Sequence, residues 1–215
     1  MKKNSKIVLF GLLLLIVSVF VSNHFGVFNK IVTPHPLNDV KINGVYFTEP
    51  KSAHSFDLKN NKGHSFTEKD LLGHWTIMVF GFTNCSYVCP TTMIELNKMY
   101  KKLETDLSEK ELPQIVFMTV DPERDTITKV DKFINSYNDK FIGVRAGLAG
   151  SKDFENQLKI KAIKVHSTGD PEDKYMVKHT AEMFVFDPSA RLQAYLAFPN
   201  KANQMALDYR KIISS

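Results

Sequence analysis

The chain has 215 residues, of which 43% are hydrophobic and 24% are charged, and its formal net charge is +5. Three of the positive charges are lysines in an N-terminal leader without acidic residues, so the rest of the chain carries only about +2. This small charge, without a basic cluster mixed with aromatic residues, excludes nucleic acid as the expected partner. The remaining length is that of one domain whose core is large enough to fold without disulfide bonds.

The leader, residues 1–24, predicts a single membrane anchor. After its lysines it is apolar from Ile7 to Val21, a run at the short limit of a membrane span and the long limit of a signal-peptide core. No clean small-x-small cleavage pattern follows, which favours a retained anchor over a cleaved signal peptide. The lysines before the span would keep the N-terminus in the cytoplasm. We therefore expect a tether at residues 25–40 and an extracytoplasmic domain at residues 41–215.

The first half of this domain predicts a hairpin followed by two β-α units. SFDLKNNKGHSFTEKDLLG alternates apolar and polar residues around a turn at Asn61-Lys62-Gly63, which predicts a β-hairpin. HWTIMVFGF, from His74 to Phe82, is almost continuously apolar, as a strand buried on both faces should be. The segment from Pro90 onward has helical spacing, with proline in the first turn. A second buried strand, QIVFMTVD, precedes a second amphipathic helix, TITKVDKFINSYN.

The second half predicts a short strand, a short helix, a hairpin and a last helix. FIGVRAG gives the strand, and SKDFENQLKI gives the short helix, with Ser151 as its expected cap. AEMFVFDPSARLQAYLAF predicts a hairpin turning at residues 187–189, and NKANQMALDYRKIISS predicts the C-terminal helix. Strands alternating with helices imply parallel pairing, and a terminal hairpin adds an antiparallel edge. The order predicts an α/β fold of the thioredoxin-like class, a central mixed sheet flanked by helices with an extra N-terminal hairpin.

The only two cysteines, Cys85 and Cys89, lie between the first core strand and its helix. A disulfide across so short a loop would stabilise the fold little. The N-terminus of a helix carries a partial positive charge and unpaired N–H groups, which favour thiolate over thiol. Because thiolate both attacks disulfides and binds metals, the two cysteines are expected to form a redox couple or part of a metal-binding site. The alternative is that both are inert buried residues.

A histidine late in the chain favours the metal. The C-x-x-x-C spacing is one residue longer than that of a thioredoxin-type redox pair, and His179-Thr180 stands where such an enzyme carries a proline before its last hairpin. In that fold this segment lies beside the N-terminus of the cysteine-bearing helix. Two soft sulfurs and one imidazole suit copper, particularly Cu(I). Zinc is less suitable because a structural site uses four protein ligands.

Three segments resemble the Sco/SenC family: FGFTNCSYVCPTTM, VDPERDT and YMVKHT, in that order. The resemblance implies a thioredoxin fold, a single membrane anchor and one copper ion, Cu(I) or Cu(II), bound by Cys85, Cys89 and His179. It also implies assembly of the copper A centre of cytochrome c oxidase, by copper delivery, thiol reduction or both, with the copper A subunit or another copper client as partner. Lys178 departs from the family, in which many members carry an acidic residue before the histidine.

The expected location is the inner membrane, with a single span and the domain in the periplasm or an equivalent space. The chain is not expected to be an enzyme, apart from a possible thiol-disulfide reductase activity of Cys85 and Cys89. Alternatives are a thiol-disulfide oxidoreductase in which copper is incidental, a thiol peroxidase, or a redox or copper sensor. Asp121 is interpreted as a turn residue, with support of the site or partner contact as the alternative. His166 is expected in a mobile loop, KVHSTGDPED, and Met176 is left without a role.

Overall fold

The chain is described here by a computed structural model. The predicted anchor at residues 1–24, the tether at residues 25–39 and the expected cap Ser151 lie outside the described residues. No helix within the described part of the chain is long and apolar enough to cross a membrane. The structure describes residues 40–53, 55–147, 154–169, 171, 174–199 and 201–215.

The strands and helices that the sequence predicted are present in the predicted order. Residues 154–157 form one further helical turn within the short helix that the sequence predicted. The strands of the described chain are β1 (Gly44–Ser52), β2 (Asp57–Asn60), β3 (Ser65–Thr67), β4 (Thr76–Gly81), β5 (Gln114–Thr119), β6 (Ile142–Arg145), β7 (Ala162–Val165), β8 (Met176–His179), β9 (Met183–Phe186) and β10 (Arg191–Leu196). Its helices are a 3₁₀ turn (Glu68–Leu71), α1 (Val88–Leu103), α2 (Ile127–Asn135) and α3 (Ala202–Ile213).

Eight of these strands form one mixed sheet in the order β1-β10-β9-β4-β5-β6-β2-β3. The neighbours β4, β5 and β6 are parallel, whereas the other pairs are antiparallel, which confirms the predicted mixed sheet and both predicted hairpins. The parallel register ends with Gly81 opposite Thr119. The loops that follow β4 and β5 therefore leave the sheet side by side, at the edge where parallel sheets gather functional groups.

The centre of the sheet is buried on both faces, as its apolar sequence predicted. Every residue of β4 is buried, and alternate side chains enter two different hydrophobic clusters. Met78 and Phe80 contribute to one cluster, and Ile77 and Val79 to the other, which also holds the apolar faces of α1 and α3. At about 1.5–3 kcal/mol for each large apolar side chain removed from water, these strands form a rigid base for the loops at their ends.

Helix α1 begins where the sequence predicted. Tyr87 is its N-cap and Pro90 lies in its first turn, where backbone N–H groups have no partner inside the helix and proline costs no hydrogen bond. The predicted apolar face is buried, and it comprises Met93, Leu96, Met99, Tyr100 and Leu103.

Three strands, which form two of the pairings, were not predicted. β1 pairs with β10 at an edge of the main sheet, and its register slips between Tyr46 and Lys51, a stretch that contains Pro50. β7 pairs with β8 in a separate two-stranded sheet. The expected mobile loop KVHSTGDPED was therefore wrong at its beginning, since Lys164 and Val165 belong to β7. Both pairings were missed because exposed strands show little of the apolar pattern that marks buried ones.

Candidate metal centre

Cys85 lies in the loop between β4 and α1, before the helix begins. Its N–H donates to the carbonyl of Phe82 at 3.2 Å, which closes a tight turn. Its sulfur accepts a hydrogen bond from the Cys89 backbone N–H at 3.4 Å, while the N-cap Tyr87 makes no side-chain capping bond. The Cys85 sulfur therefore partners one of the free N–H groups of the first helical turn, in the manner of an N-cap side chain.

Cys89 lies in the first turn of α1 and is only 5% exposed. Its sulfur packs against Gly81, because a Cβ added to that glycine would lie 3.0 Å from Sγ. Burial, followed by the contact with Cys85, raises the pKa of the Cys89 thiol well above its ordinary value. The expectation that the helix N-terminus would lower this pKa was therefore wrong for Cys89, since desolvation of the thiolate has the larger effect.

The His179 ring, at the end of β8, faces this sulfur. Its Nε2 lies 3.9 Å from Cys89 Sγ, although 90 residues separate the two along the chain. Its Nδ1 lies 2.7 Å from the carbonyl of Thr180, and because a carbonyl only accepts, Nδ1 carries the proton and Nε2 presents its lone pair to the sulfur. Burial lowers the pKa of His179, so the ring is neutral near neutral pH, which is the form that binds metals.

The separation of the two donor atoms fits one bridging ion. With metal–sulfur and metal–nitrogen bonds of about 2.3 and 2.0 Å, the two donors lie roughly 3.5 Å apart at a tetrahedral angle and 4.3 Å apart on a line. The observed 3.9 Å lies between these limits. As they stand, no three His, Cys, Asp or Glu side chains of the described residues enclose an ion position. The half-buried Cys85 is the third candidate donor, and completing a three-donor set therefore requires side-chain movement within the site.

A buried carboxylate that sequence reasoning missed holds the loop before Cys85. Asp125, with no measurable exposure, accepts hydrogen bonds from the Thr83 N–H at 2.9 Å and the Thr83 hydroxyl at 2.5 Å. It also accepts from the Thr119 hydroxyl at 2.5 Å, at the end of β5. VDPERDT contains Asp125, but which donors lie within hydrogen-bonding distance of it depends on how three segments fold together.

A second buried carboxylate, Asp121, holds the segment before β8. It accepts from the Tyr175 hydroxyl at 2.7 Å and from Arg124 Nε at 2.6 Å. Arg124 also donates to the Tyr175 carbonyl at 2.8 Å, and its guanidinium lies 3.6 Å from the centre of that ring. Asp121 is therefore more than the turn residue that the sequence favoured, because its carboxylate supports the strand that carries His179.

The other candidates take no part in this geometry. The ring of His166 lies 5.6 Å from that of Tyr175. Met176 and Lys178 are exposed and alternate along β8 with the inward-facing Val177 and His179. Four other methionines, Met93, Met99, Met118 and Met183, pack in the core and are 0–1% exposed.

A surface groove of about 990 Å³ opens beside His179. Its apolar lining includes Ile163, Phe184 and Phe198, and its basic lining includes Lys161 and Lys178. His179 thus lines a groove that opens to the surface.

Comparison with known proteins identifies the family. A human relative, "Protein SCO1 homolog, mitochondrial", is 31% identical over 156 residues, covering 70% of this chain and 49% of the relative. An SCO2-like protein of Rickettsia prowazekii is 30% identical over 162 residues, covering 75% of this chain and 77% of that protein. The crystal structure of Arabidopsis thaliana ScoI with copper bound superposes with a TM-score of 0.69 at 26% identity, covering 75% of this chain and 98% of that one.

This chain spans about half the length of the plant and human curated relatives that it matches, 46% and 49%. The superposition supports the thioredoxin-like α/β fold of the domain. The SCO1/SenC family model matches residues 47–214, which include both cysteines, the two buried carboxylates and the histidine. The chain belongs to the SCO1/SenC family.

Proposed function

We propose that this chain binds one copper ion through Cys85, Cys89 and His179 and serves in assembly of the copper A centre of cytochrome c oxidase. The observation that carries the proposal is the lone pair of His179 Nε2 facing the buried Cys89 sulfur at 3.9 Å. Soft sulfur donors with one imidazole favour copper. The copper-bound Arabidopsis relative supports the choice of metal.

Each proposed ligand has a distinct local role. Cys85, half-buried at the helix mouth, is the more accessible of the two sulfur donors. Cys89 contributes a buried sulfur fixed by helix α1, and His179 contributes a neutral ring whose orientation is set by the Thr180 carbonyl. Bound copper would supply an ion that can be passed to a client's own sulfur and nitrogen donors.

Copper binding and thiol redox state are coupled in this site. Both cysteines are free in the structure, and only the reduced pair can bind the ion, because a disulfide has no thiolate to offer. Burial raises the pKa of Cys89, so binding must displace a proton from that thiol. This coupling of copper binding to the redox state of the dithiol is compatible with three roles: copper delivery, reduction of a client's cysteines, and redox sensing.

We place the domain, residues 41–215, in the periplasm or an equivalent space, joined by a tether at residues 25–40 to an anchor at residues 1–24. The basic and apolar composition of the leader and a mitochondrial relative support this location. Protease added to sealed right-side-out membrane vesicles reaches only the extracytoplasmic face and should remove the domain. The mass of the membrane-extracted chain should include the leader. A protected domain, or a mass lacking the leader, would contradict the arrangement.

The groove beside His179 supports exchange of copper with another protein. It reaches the imidazole from the surface, and the copper A subunit or another copper client could approach along it. Lys178, in place of the acidic residue of many family members, and Lys161 make this approach basic. The partner's contacting face is accordingly expected to be acidic.

Anaerobic titration of the reduced chain in mild detergent with Cu(I), against a chromophoric chelator, tests the proposal. Cys85→Ser, Cys89→Ser and His179→Ala should each lower the affinity strongly, because each removes one donor. Wild-type affinity in all three variants would refute it.

The same variants separate the proposal from a thiol-disulfide oxidoreductase. In a copper protein, His179→Ala weakens copper binding and copper-dependent client assembly, while the dithiol still forms a disulfide. In an oxidoreductase with incidental copper, His179→Ala would leave turnover with a disulfide substrate unchanged and copper-dependent client assembly intact.

A further inference from the structure

The loop between β5 and α2, Val120–Thr126, touches both segments that carry the proposed ligands. It is closed internally by a hydrogen bond from the Asp125 N–H to the Asp121 carbonyl at 3.0 Å. Arg145 of β6 donates to the Asp125 carbonyl at 2.8 Å and to the Pro122 carbonyl at 2.7 Å. The loop is therefore fixed both to itself and to the main sheet.

At one end of this loop, Asp125 controls the approach to Cys85. Its carboxylate receives both the N–H and the hydroxyl of Thr83, two residues before Cys85. A fully buried carboxylate loses its hydration, so its bound donors are costly to separate from it. The path of the chain from β4 to the dithiol is thus set by a side chain that binds no metal.

At the other end, Asp121 and Arg124 control the strand of His179. β8 pairs only with β7 among the described strands, so hydrogen bonds of the main sheet do not fix it. A two-stranded hairpin alone is marginally stable in water. Tyr175, immediately before β8, is held through its hydroxyl, its carbonyl and its ring. This anchor fixes the strand that ends in the imidazole.

We propose that Val120–Thr126 is a positioning element that sets the separation of the dithiol and the imidazole. Asp125 positions the cysteine loop, and Asp121 with Arg124 positions the histidine strand. None of these three residues is proposed as a ligand. The inference rests on the proposed copper function for its imidazole half, whereas its cysteine half can be measured on the metal-free protein.

Tyr175→Phe tests the imidazole half, because it removes the hydroxyl that Asp121 holds and keeps the aromatic ring. Cu(I) affinity of the full chain should fall by about 10–100-fold, the range found when a partner behind a metal ligand is removed. In the His179→Ala background the same change should alter affinity less than about twofold, since additivity fails for residues that act through each other. The glutathione equilibrium of the metal-free dithiol should not change.

Tyr209→Phe is the matched control. Tyr209 is also buried and also donates one short hydrogen bond, 2.6 Å to the Glu111 carbonyl, but it packs in the cluster on the opposite face of the sheet. It should leave copper affinity unchanged. Equal losses from Tyr175→Phe with and without His179, no loss at all, or the same loss in Tyr209→Phe would overturn the imidazole half.

Thr83→Val tests the cysteine half, because it removes the hydroxyl bound to Asp125 and keeps the branched shape. The dithiol–disulfide equilibrium of the metal-free protein with glutathione should shift severalfold, with or without His179. Thr105→Val is the control, since the Thr105 hydroxyl also donates to a carboxylate, that of Asp106 at 2.7 Å, but lies just beyond the C-terminal end of α1 and outside the proposed element. An unchanged equilibrium in Thr83→Val, or an equal shift in Thr105→Val, would overturn this half.

Failure of the two proposals is distinguishable. Wild-type copper affinity in His179→Ala would refute the proposed ligand set, and the glutathione measurement on Thr83→Val would still decide whether the loop positions the dithiol.

Discussion

Substituting Gly81 by alanine should disturb the site without removing any proposed ligand. A Cβ at this position would lie 2.7 Å from Cε2 of the Phe117 ring and 3.0 Å from Cys89 Sγ, closer than atoms approach in a packed core. Both neighbours are buried, so relief requires the ring, the sulfur or the end of β4 to move. The substitution therefore pushes directly on the sulfur that faces the imidazole.

The magnitude follows from overpacking. Inserting a methyl group into a filled core lowers the unfolding free energy by about 1–3 kcal/mol. Replacing glycine also reduces the conformational freedom of the unfolded chain, which offsets about 0.4–1 kcal/mol of this loss. We expect Gly81→Ala to lower the unfolding free energy of the reduced metal-free protein by about 1–2 kcal/mol, or the Tm by about 2–8 °C for a chain of this size. Cu(I) affinity should fall by about tenfold, because the sulfur leaves its position.

Gly143→Ala is the matched control for this experiment. A Cβ there would lie 2.4 Å from Val130 Cγ1 and 3.1 Å from Ile134 Cδ1, an equally tight position between β6 and α2. Urea unfolding and chelator competition on both variants separate general overpacking from displacement of Cys89. The reasoning is refuted if Gly81→Ala keeps full stability and affinity, or if Gly143→Ala loses copper affinity to the same extent.

Three further predictions concern protonation and access. In the reduced metal-free protein, iodoacetamide should modify Cys85 before Cys89, because Cys89 is only 5% exposed and burial raises the pKa of its thiol. Peptide masses after brief labelling identify the modified cysteine, and modification of Cys89 first would contradict the structure. Apparent Cu(I) affinity should rise with pH across neutrality, by about tenfold per pH unit for each proton displaced, since copper competes with the proton on Cys89. A chelator titration at several pH values measures this slope, and an affinity that does not change with pH would contradict thiolate binding. Burial lowers the pKa of His179 below its ordinary 6.5, so the unfolded chain binds a proton at this residue more readily than the folded chain does. As the pH falls below 6.5, the unfolding free energy should therefore decrease more in the wild type than in His179→Gln. Urea unfolding at several pH values measures this, and an equal pH dependence in the two proteins would contradict it.

The elements that the sequence predicted correctly are those whose pattern is local. β4 and β5 are continuous apolar runs because both faces of the sheet centre are covered, and α1 shows its buried face at helical spacing. β1 was not predicted because it is an exposed edge strand whose pairing is interrupted near Pro50, and its sequence shows neither alternating nor continuous apolar residues. β7 and β8 escaped for the same reason, since their outward residues are exposed.

The site divides in the same way. Cys85, Cys89 and His179 could be selected from their residue types and their place in the predicted order, because sulfur and imidazole have few roles at a helix mouth. Asp125 was not selected, and the supporting role of Asp121 was only the alternative interpretation, since an aspartate in a turn looks the same in sequence whether it is solvated or buried. Only the packing of Thr83 and Tyr175 against the loop distinguishes Asp125 and Asp121 from ordinary turn residues.

The small sheet of β7 and β8 has a consequence for how cargo would leave. The proposed sulfur ligands lie in the loop after β4 and in α1, whereas the proposed nitrogen ligand lies on a strand outside the main sheet. Swinging the ring aside breaks no bond of the main sheet and leaves the core intact. An ion bound as proposed would thus be released stepwise: the imidazole would dissociate first in favour of an incoming donor while both sulfurs remain bound. Transfer would then require neither unfolding of this domain nor release of the ion into solution.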